Sequence, residues 1–150
     1  MTAWAQKYIG MRFVDKGRDR SGVDCWGLIY VAFRDEKKIE IEKYSDIGAK
    51  QMLAIARKMA VAKDADPWMK IGDMKKMILS PLRAFDVVVM WRHLEIEKGK
   101  MEYVPLHVGL MVDDRRMLHI EERHDSVCLP ITHPDVRFRI EGFYRHRELL

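Results

Sequence analysis

The chain has 150 residues, 48% of them hydrophobic, enough for one domain with an ordinary core that needs no metal or disulfide staple. The formal charge of +4 is spread over 27 basic and 23 acidic residues without a dense basic block, so nucleic acid is not the expected partner. No apolar run reaches the roughly 18 residues needed to span a bilayer, and residues 1–7 lack the apolar stretch of a secretion signal; a soluble protein not exported by that route is expected.

Residues 2–8 read as a short helix, followed by the polar stretch 15–22, which reads as a loop leading to Asp24. From there Leu28, Ile29, Val31, Ala32 and Phe33 recur at helical spacing. Asp24 is a good N-cap, so the pattern predicts a helix to about Lys37 with Cys25 in its first turn. Met52, Leu53, Ile55, Ala56 and Met59 predict a further helix, and residues 73–79 another after the break at Asp66-Pro67, together a helical insertion over about 38–80. After Pro81 come five strand-like runs, at 85–91, 104–112, 116–121, 126–132 and 136–144. Helices first and strands later predict an α+β fold, and no repeat or linker divides residues 1–150 into more than a single domain.

The two cysteines lie in different settings. Cys128 sits in the apolar run Val127-Cys128-Leu129 and Cys25 follows a polar loop, so no disulfide is expected. A helix N-terminus favours a thiolate and offers free backbone N–H groups to an oxyanion, which suits Cys25 as a nucleophile. The position alone also suits a small buried hydrophobe.

A thiol nucleophile needs an imidazole to carry its proton and a third group to orient that ring. A hairpin centred near Asp113 would pair His107 with His119 across two strands. Alternation puts Leu106, Val108, Leu110, Val112, Leu118 and Ile120 on one face and His107, Gly109, His119 and Glu121 on the other. Gly109 would let the helix carrying Cys25 approach that second face. The same histidines could ligate a metal with Glu121, His124 or Asp125, but no zinc spacing such as His-Glu-x-x-His is present, and no metal or other cofactor is expected. Trp4, Trp68 and Trp91 are dispersed as core or interface anchors are.

The octapeptide Ser21-Gly22-Val23-Asp24-Cys25-Trp26-Gly27-Leu28 resembles the nucleophile motif of the NlpC-type papain-like cysteine peptidases, which are peptidoglycan endopeptidases. Gly10-Met11-Arg12-Phe13, Phe85-Asp86-Val87-Val88-Val89 and His107-Val108-Gly109-Leu110 resemble further segments of the family in the same order; residues 35–84 match none. The resemblance implies a papain-like domain, its nucleophile helix packed on an antiparallel sheet of about five strands. It implies that Cys25 attacks an amide of the stem peptide, typically between D-glutamate and a diamino acid, to form a thioester. His107 would then transfer protons and His119 would orient His107. Asp24, Trp26 and Phe13 would adjoin the substrate, although Phe13 replaces a common tyrosine and Trp26 a common serine. Tryptophan after the cysteine is similar to the subset carried by phage tails and phage-like gene-transfer particles, with tail proteins as partners. The alternative is a structural tail-tip or assembly protein that uses the fold for docking.

Overall fold

The computed structural model describes residues 3–44 and 67–150, and within it Asp24 fixes the start of the main helix. Its backbone is extended (φ −93°, ψ −171°), and its Oδ1 accepts a hydrogen bond from Gly27 N at 2.8 Å. This N-cap satisfies one of the amides that a helix start leaves without an intrahelical partner. Helix α2, Cys25–Ala32, follows directly. It is preceded by α1, Ala3–Gln6, and by a small hairpin of β1, Arg18–Asp19, and β2, Gly22–Val23. Beyond α2 the chain continues in one wider π-helical turn, Phe33–Lys37, and stops at Lys38, whose left-handed backbone (φ 56°) ends the helix. The extent expected from the sequence is thus correct; only the last turn differs.

All eight residues of α2 are buried, as an uninterrupted apolar sequence requires. The polar loop lies directly on its first turn. A Cβ at Gly27 would stand 2.0 Å from the Gly17 carbonyl oxygen, so only glycine permits that approach. Arg18 closes the arrangement: Nη1 bonds Asp24 Oδ1 at 2.7 Å, while Nε and Nη2 donate to the carbonyls of Lys43 and Tyr44.

Among the described residues the main sheet is antiparallel and has seven strands in the order β4-β3-β9-β5-β6-β7-β8. They are β3, Trp68–Asp73; β4, Ile78–Leu79; β5, Val87–Glu97; β6, Lys100–Met111; β7, Arg116–His119; β8, Val127–Pro130; and β9, Ile140–His146. The five expected strands are β5 to β9. The two extra ones correct an expectation: residues 73–79, read as a helix, turn back as the second half of a hairpin. Residues 68–73 instead find backbone partners along β9, with Trp68 opposite His146 and Lys70 opposite Tyr144, and pairing of that kind overrides a short helical pattern. The helix expected from Met52 to Met59 lies outside the described residues.

Two apolar layers sandwich the sheet. Val87, Val89, Val108, Leu110, Val112, Leu118 and Ile120 pack with Leu28, Ile29 and Val31 of α2. Ile71, Val88, Met90, Met111, Met117, Ile140 and Phe143 form the other layer, with Val136 packed among them. Each fully buried aliphatic side chain contributes about 1.5–3 kcal/mol, so two populated faces fix both the sheet and the helix upon it. The result is the α+β, papain-like arrangement expected.

Candidate active site

The β6–β7 hairpin positions both candidate histidines. Its loop is residues 113–115: Val112 N bonds Arg116 O at 2.9 Å, and Asp113 Oδ1 accepts from the amides of Arg115 and Arg116 at 2.8 Å each. Leu110 therefore pairs with Leu118 and Met111 with Met117, a register centred on residue 114. Extended along the strands, it sets residue 109 opposite 119 and 107 opposite 121. The direct pairing of His107 with His119 is thus displaced by two positions. An even slip leaves every side chain on its expected face.

The rings still meet, along the diagonal. His107 Nε2 lies 2.9 Å from His119 Nδ1, with ring centroids 5.2 Å apart and planes at 71°. One ring donates and the other accepts. Both side chains are buried. Immediately before His107 the β5–β6 register slips by one residue, since Met90 pairs with His107 but Trp91 with Pro105. Such bulges turn the following side chains relative to the sheet.

Glu121 and Arg139 complete the cluster. Glu121 Oε1 is 3.6 Å from His107 Nε2 and accepts from Arg139 Nη1 at 2.9 Å. Burial acts to raise the Glu121 pKa, but the charges of His107 and of the bonded Arg139 outweigh it and hold the carboxyl below its usual range. Burial depresses His119, against the opposite pull of Glu121, so its ring stays neutral at neutral pH. Arg139 escapes a reading of the sequence: it directly precedes β9 and reaches this site because its backbone carbonyl accepts from Trp91 N of β5.

The backbone N–H groups of Val108 and Trp26 lie beside the Cys25 sulfur and favour its charged form. The sulfur therefore touches β6 one residue after His107. The expected effect of the helix start on the thiol is reversed here. Burial, joined by the negative charge of Asp24, pushes it up to about 12 despite the two amides, and only 4% of the residue is exposed. Burial also raises the half-buried Cys128, and both cysteines are free.

Gly109 does not admit α2. A Cβ there would meet Met117 Sδ at 2.9 Å and Leu118 O at 3.1 Å, so the close approach comes from β7 and the opposite core layer. Asp24 and Trp26 are wholly buried and offer no surface to the substrate expected beside them. Asp24 is engaged by Arg18 and Gly27, and Trp26 Nε1 donates to Glu42 O while its ring packs on Tyr44 and Trp68. Trp68 is a core residue, and Trp4 stacks on Phe85 at 4.5 Å. Phe13 is half-buried and lines a depression with Arg12, Asp15, Arg123, His124 and Asp125. Next to it, His119, Glu121, His124, Asp135 and Arg139 line a pocket of about 220 Å³. A larger concavity, about 780 Å³, lies at the β6–β7 turn and contains none of the candidate residues.

The description of the NlpC/P60 family matches residues 10–138. Among curated protein sequences none matches. The fold is similar to the NlpC/P60 domain of the peptidoglycan hydrolase SagA, with 17% identity and a TM-score of 0.53 over 95% of this chain and 92% of that one. It is also similar to a lipoprotein-like NLP/P60 family protein of Staphylococcus aureus (19% identity, TM-score 0.56, 95% of this chain) and to an NlpC/P60 protein of Bacillus cereus (15%, 0.55, 97%). The chain spans only 39% and 40% of the length of those two. At such identities the structures establish shared architecture, while the sequence match covers most of the chain, so this protein belongs to the NlpC/P60 family.

Proposed function

We propose that the protein is a cysteine endopeptidase that hydrolyses amide bonds in peptidoglycan stem peptides, with D-glutamyl–diamino acid linkages as the first candidates. The observation that carries this reading is the 2.9 Å contact of His107 Nε2 with His119 Nδ1, one residue from Val108, whose backbone lies beside the Cys25 sulfur. His119 engages Nε2 of His107 and so leaves Nδ1 as the nitrogen that would take the thiol proton. In the reaction His107 takes the Cys25 proton as sulfur bonds to the carbonyl carbon. The tetrahedral oxyanion collapses to a thioester, and the amine leaves with the proton from His107. Water, deprotonated by the same ring, then releases the acid and restores the thiol. The Trp26 and Val108 amides beside the sulfur would serve as donors to the developing oxyanion. Asp24 and Trp26, being buried, serve as positioning residues, while Phe13 stands at the solvent-accessible margin.

The test is digestion of purified sacculi by the protein and by Cys25→Ala in the presence of a reductant, with muropeptides read by mass spectrometry. Stem-peptide fragments released only when Cys25 is present are expected, and their masses identify the bond. Equal release by both proteins would exclude Cys25 as nucleophile. On the strength of Trp26 in the motif we infer delivery by a phage tail or phage-like particle, to be checked by proteomics of purified particles. One observation favours a second reading, docking within a tail: the thiol is buried and protonated as it stands. Absence of cleavage, with stable binding to tail proteins, would support it.

A further inference from the structure

We propose that His107, His119 and Glu121 form a zinc site, and that zinc held there withdraws His107 from proton transfer. The donors are two imidazole nitrogens and a carboxylate oxygen, a set that zinc binds in three-ligand sites with an open fourth position. Their spacing is suitable. Tetrahedral bonds of about 2.1 Å place donor atoms about 3.4 Å apart, and the separations here are 2.9 Å for His107 Nε2 to His119 Nδ1 and 3.6 Å for His107 Nε2 to Glu121 Oε1. All three donor atoms lie within 4.8 Å of one another.

The scaffold is partly rigid and partly open, as an ion that enters and leaves requires. The histidines are buried on paired strands, whereas the Glu121 side chain is 40% exposed. His119 and Glu121 both line the pocket of about 220 Å³, which gives the ion an entry path and a water the fourth position. Arg139 is the built-in competitor. Its Nη1 holds the same Glu121 Oε1 at 2.9 Å and must withdraw before a cation can enter, and Asp135 O, 3.4 Å from Nη1, is an alternative acceptor. A neutral imidazole ligated at Nε2 carries its one proton on Nδ1, so His107 could no longer accept the thiol proton. The inhibition rests on the endopeptidase reading; the binding does not.

The full chain, stripped of metal with a chelator, is titrated with zinc chloride by calorimetry. One zinc per chain is expected. Loss of an outer contact to a ligand typically weakens binding by about 10–100-fold, so His119→Gln and Glu121→Gln, which remove ligands, should each weaken it by at least about tenfold. Arg139→Gln should tighten it, and Cys25→Ala and His133→Gln should leave it unchanged. Zinc should also raise the melting temperature of the native chain and not that of Glu121→Gln, which separates loss of a ligand from misfolding. Equal affinity in the native, His119→Gln and Glu121→Gln proteins overturns the site, and loss of binding in Cys25→Ala moves the metal to the thiol. If sacculi are cleaved, zinc should stop cleavage and a chelator restore it, with Glu121→Gln needing more zinc. If they are not, the titration still decides whether the site exists.

Discussion

His119 is held neutral by its surroundings, and that neutrality has a measurable cost in acid. Removing the ring from water disfavours the imidazolium, and Arg139 adds to the effect, while Glu121 opposes it; His107 faces the same ring. Its folded pKa lies below the ordinary 6.5, so the unfolded chain binds the proton more readily than the folded one. The stability it contributes is complete above about pH 6.5 and is lost as pH falls through the folded value. His146 is also depressed by burial and has the same sign, so it must be subtracted. Scanning calorimetry between about pH 5 and 7.5 should show the melting temperature of the native chain falling more steeply than that of His119→Gln, with His146→Gln as the control. An unchanged slope in His119→Gln would mean that the ring is solvated or already charged. If the ring orients His107, endopeptidase activity should fade over the same acid limb.

At the scale of the element, Asp24 links the loop, the helix and the thiol. Its carboxylate accepts from Gly27 N and Arg18 Nη1 through Oδ1 and from Lys16 N through Oδ2, and it is fully buried. Asp24→Ala removes a cap worth about 1 kcal/mol and leaves the Arg18 guanidinium buried without its partner, a change that costs about 3–5 kcal/mol where measured. The two effects overlap, so a loss of about 3–5 kcal/mol is expected from urea unfolding, with Asp24→Asn losing less because it keeps a capping oxygen. A loss below about 1 kcal/mol would show that water replaces the carboxylate and that α2 does not depend on it. The cap itself was legible in the sequence because it is local: Asp24 precedes an apolar run with helical period. The five strands β5 to β9 and the two faces of the β6–β7 hairpin were legible for the same reason. What was not legible depends on partners far away in the chain. Residues 73–79 have a helical pattern, but the stretch before them pairs with β9. The hairpin register is set by the two side-chain bonds of Asp113 to the amides that follow, which move its centre to residue 114. Arg139 and the burial of Cys25 exist only once the sheet is assembled.

Over the whole molecule, the site is built between two apolar layers, and this decides how the thiol behaves. Cys25 belongs to the layer that joins α2 to the sheet, with Val108 beside it, so the groups that aim the sulfur also exclude water from it. A solvated thiol at a helix N-terminus would ionise near neutral pH; in this packing desolvation and Asp24 dominate and the proton stays on sulfur. Reaction with a small electrophile then requires both opening of the layer and loss of the proton. Alkylation by iodoacetamide, followed site by site by mass spectrometry, should modify Cys128 before Cys25 at about pH 8, since Cys128 is only half-buried whereas Cys25 is buried. The Cys25 rate should climb steadily with alkaline pH and show no plateau near neutrality. Urea well below the unfolding midpoint should accelerate Cys25 selectively, because local opening then limits access. Asp24→Asn should bring the rise to lower pH by removing a negative charge beside the sulfur. If Cys25 instead reacts first, with a rate constant level from about pH 6 upwards, the sulfur is already paired as a thiolate with a charged His107 and the layer is open. A steady climb, together with cleavage of sacculi, would mean that substrate opens the layer and that thiol deprotonation by His107 follows binding.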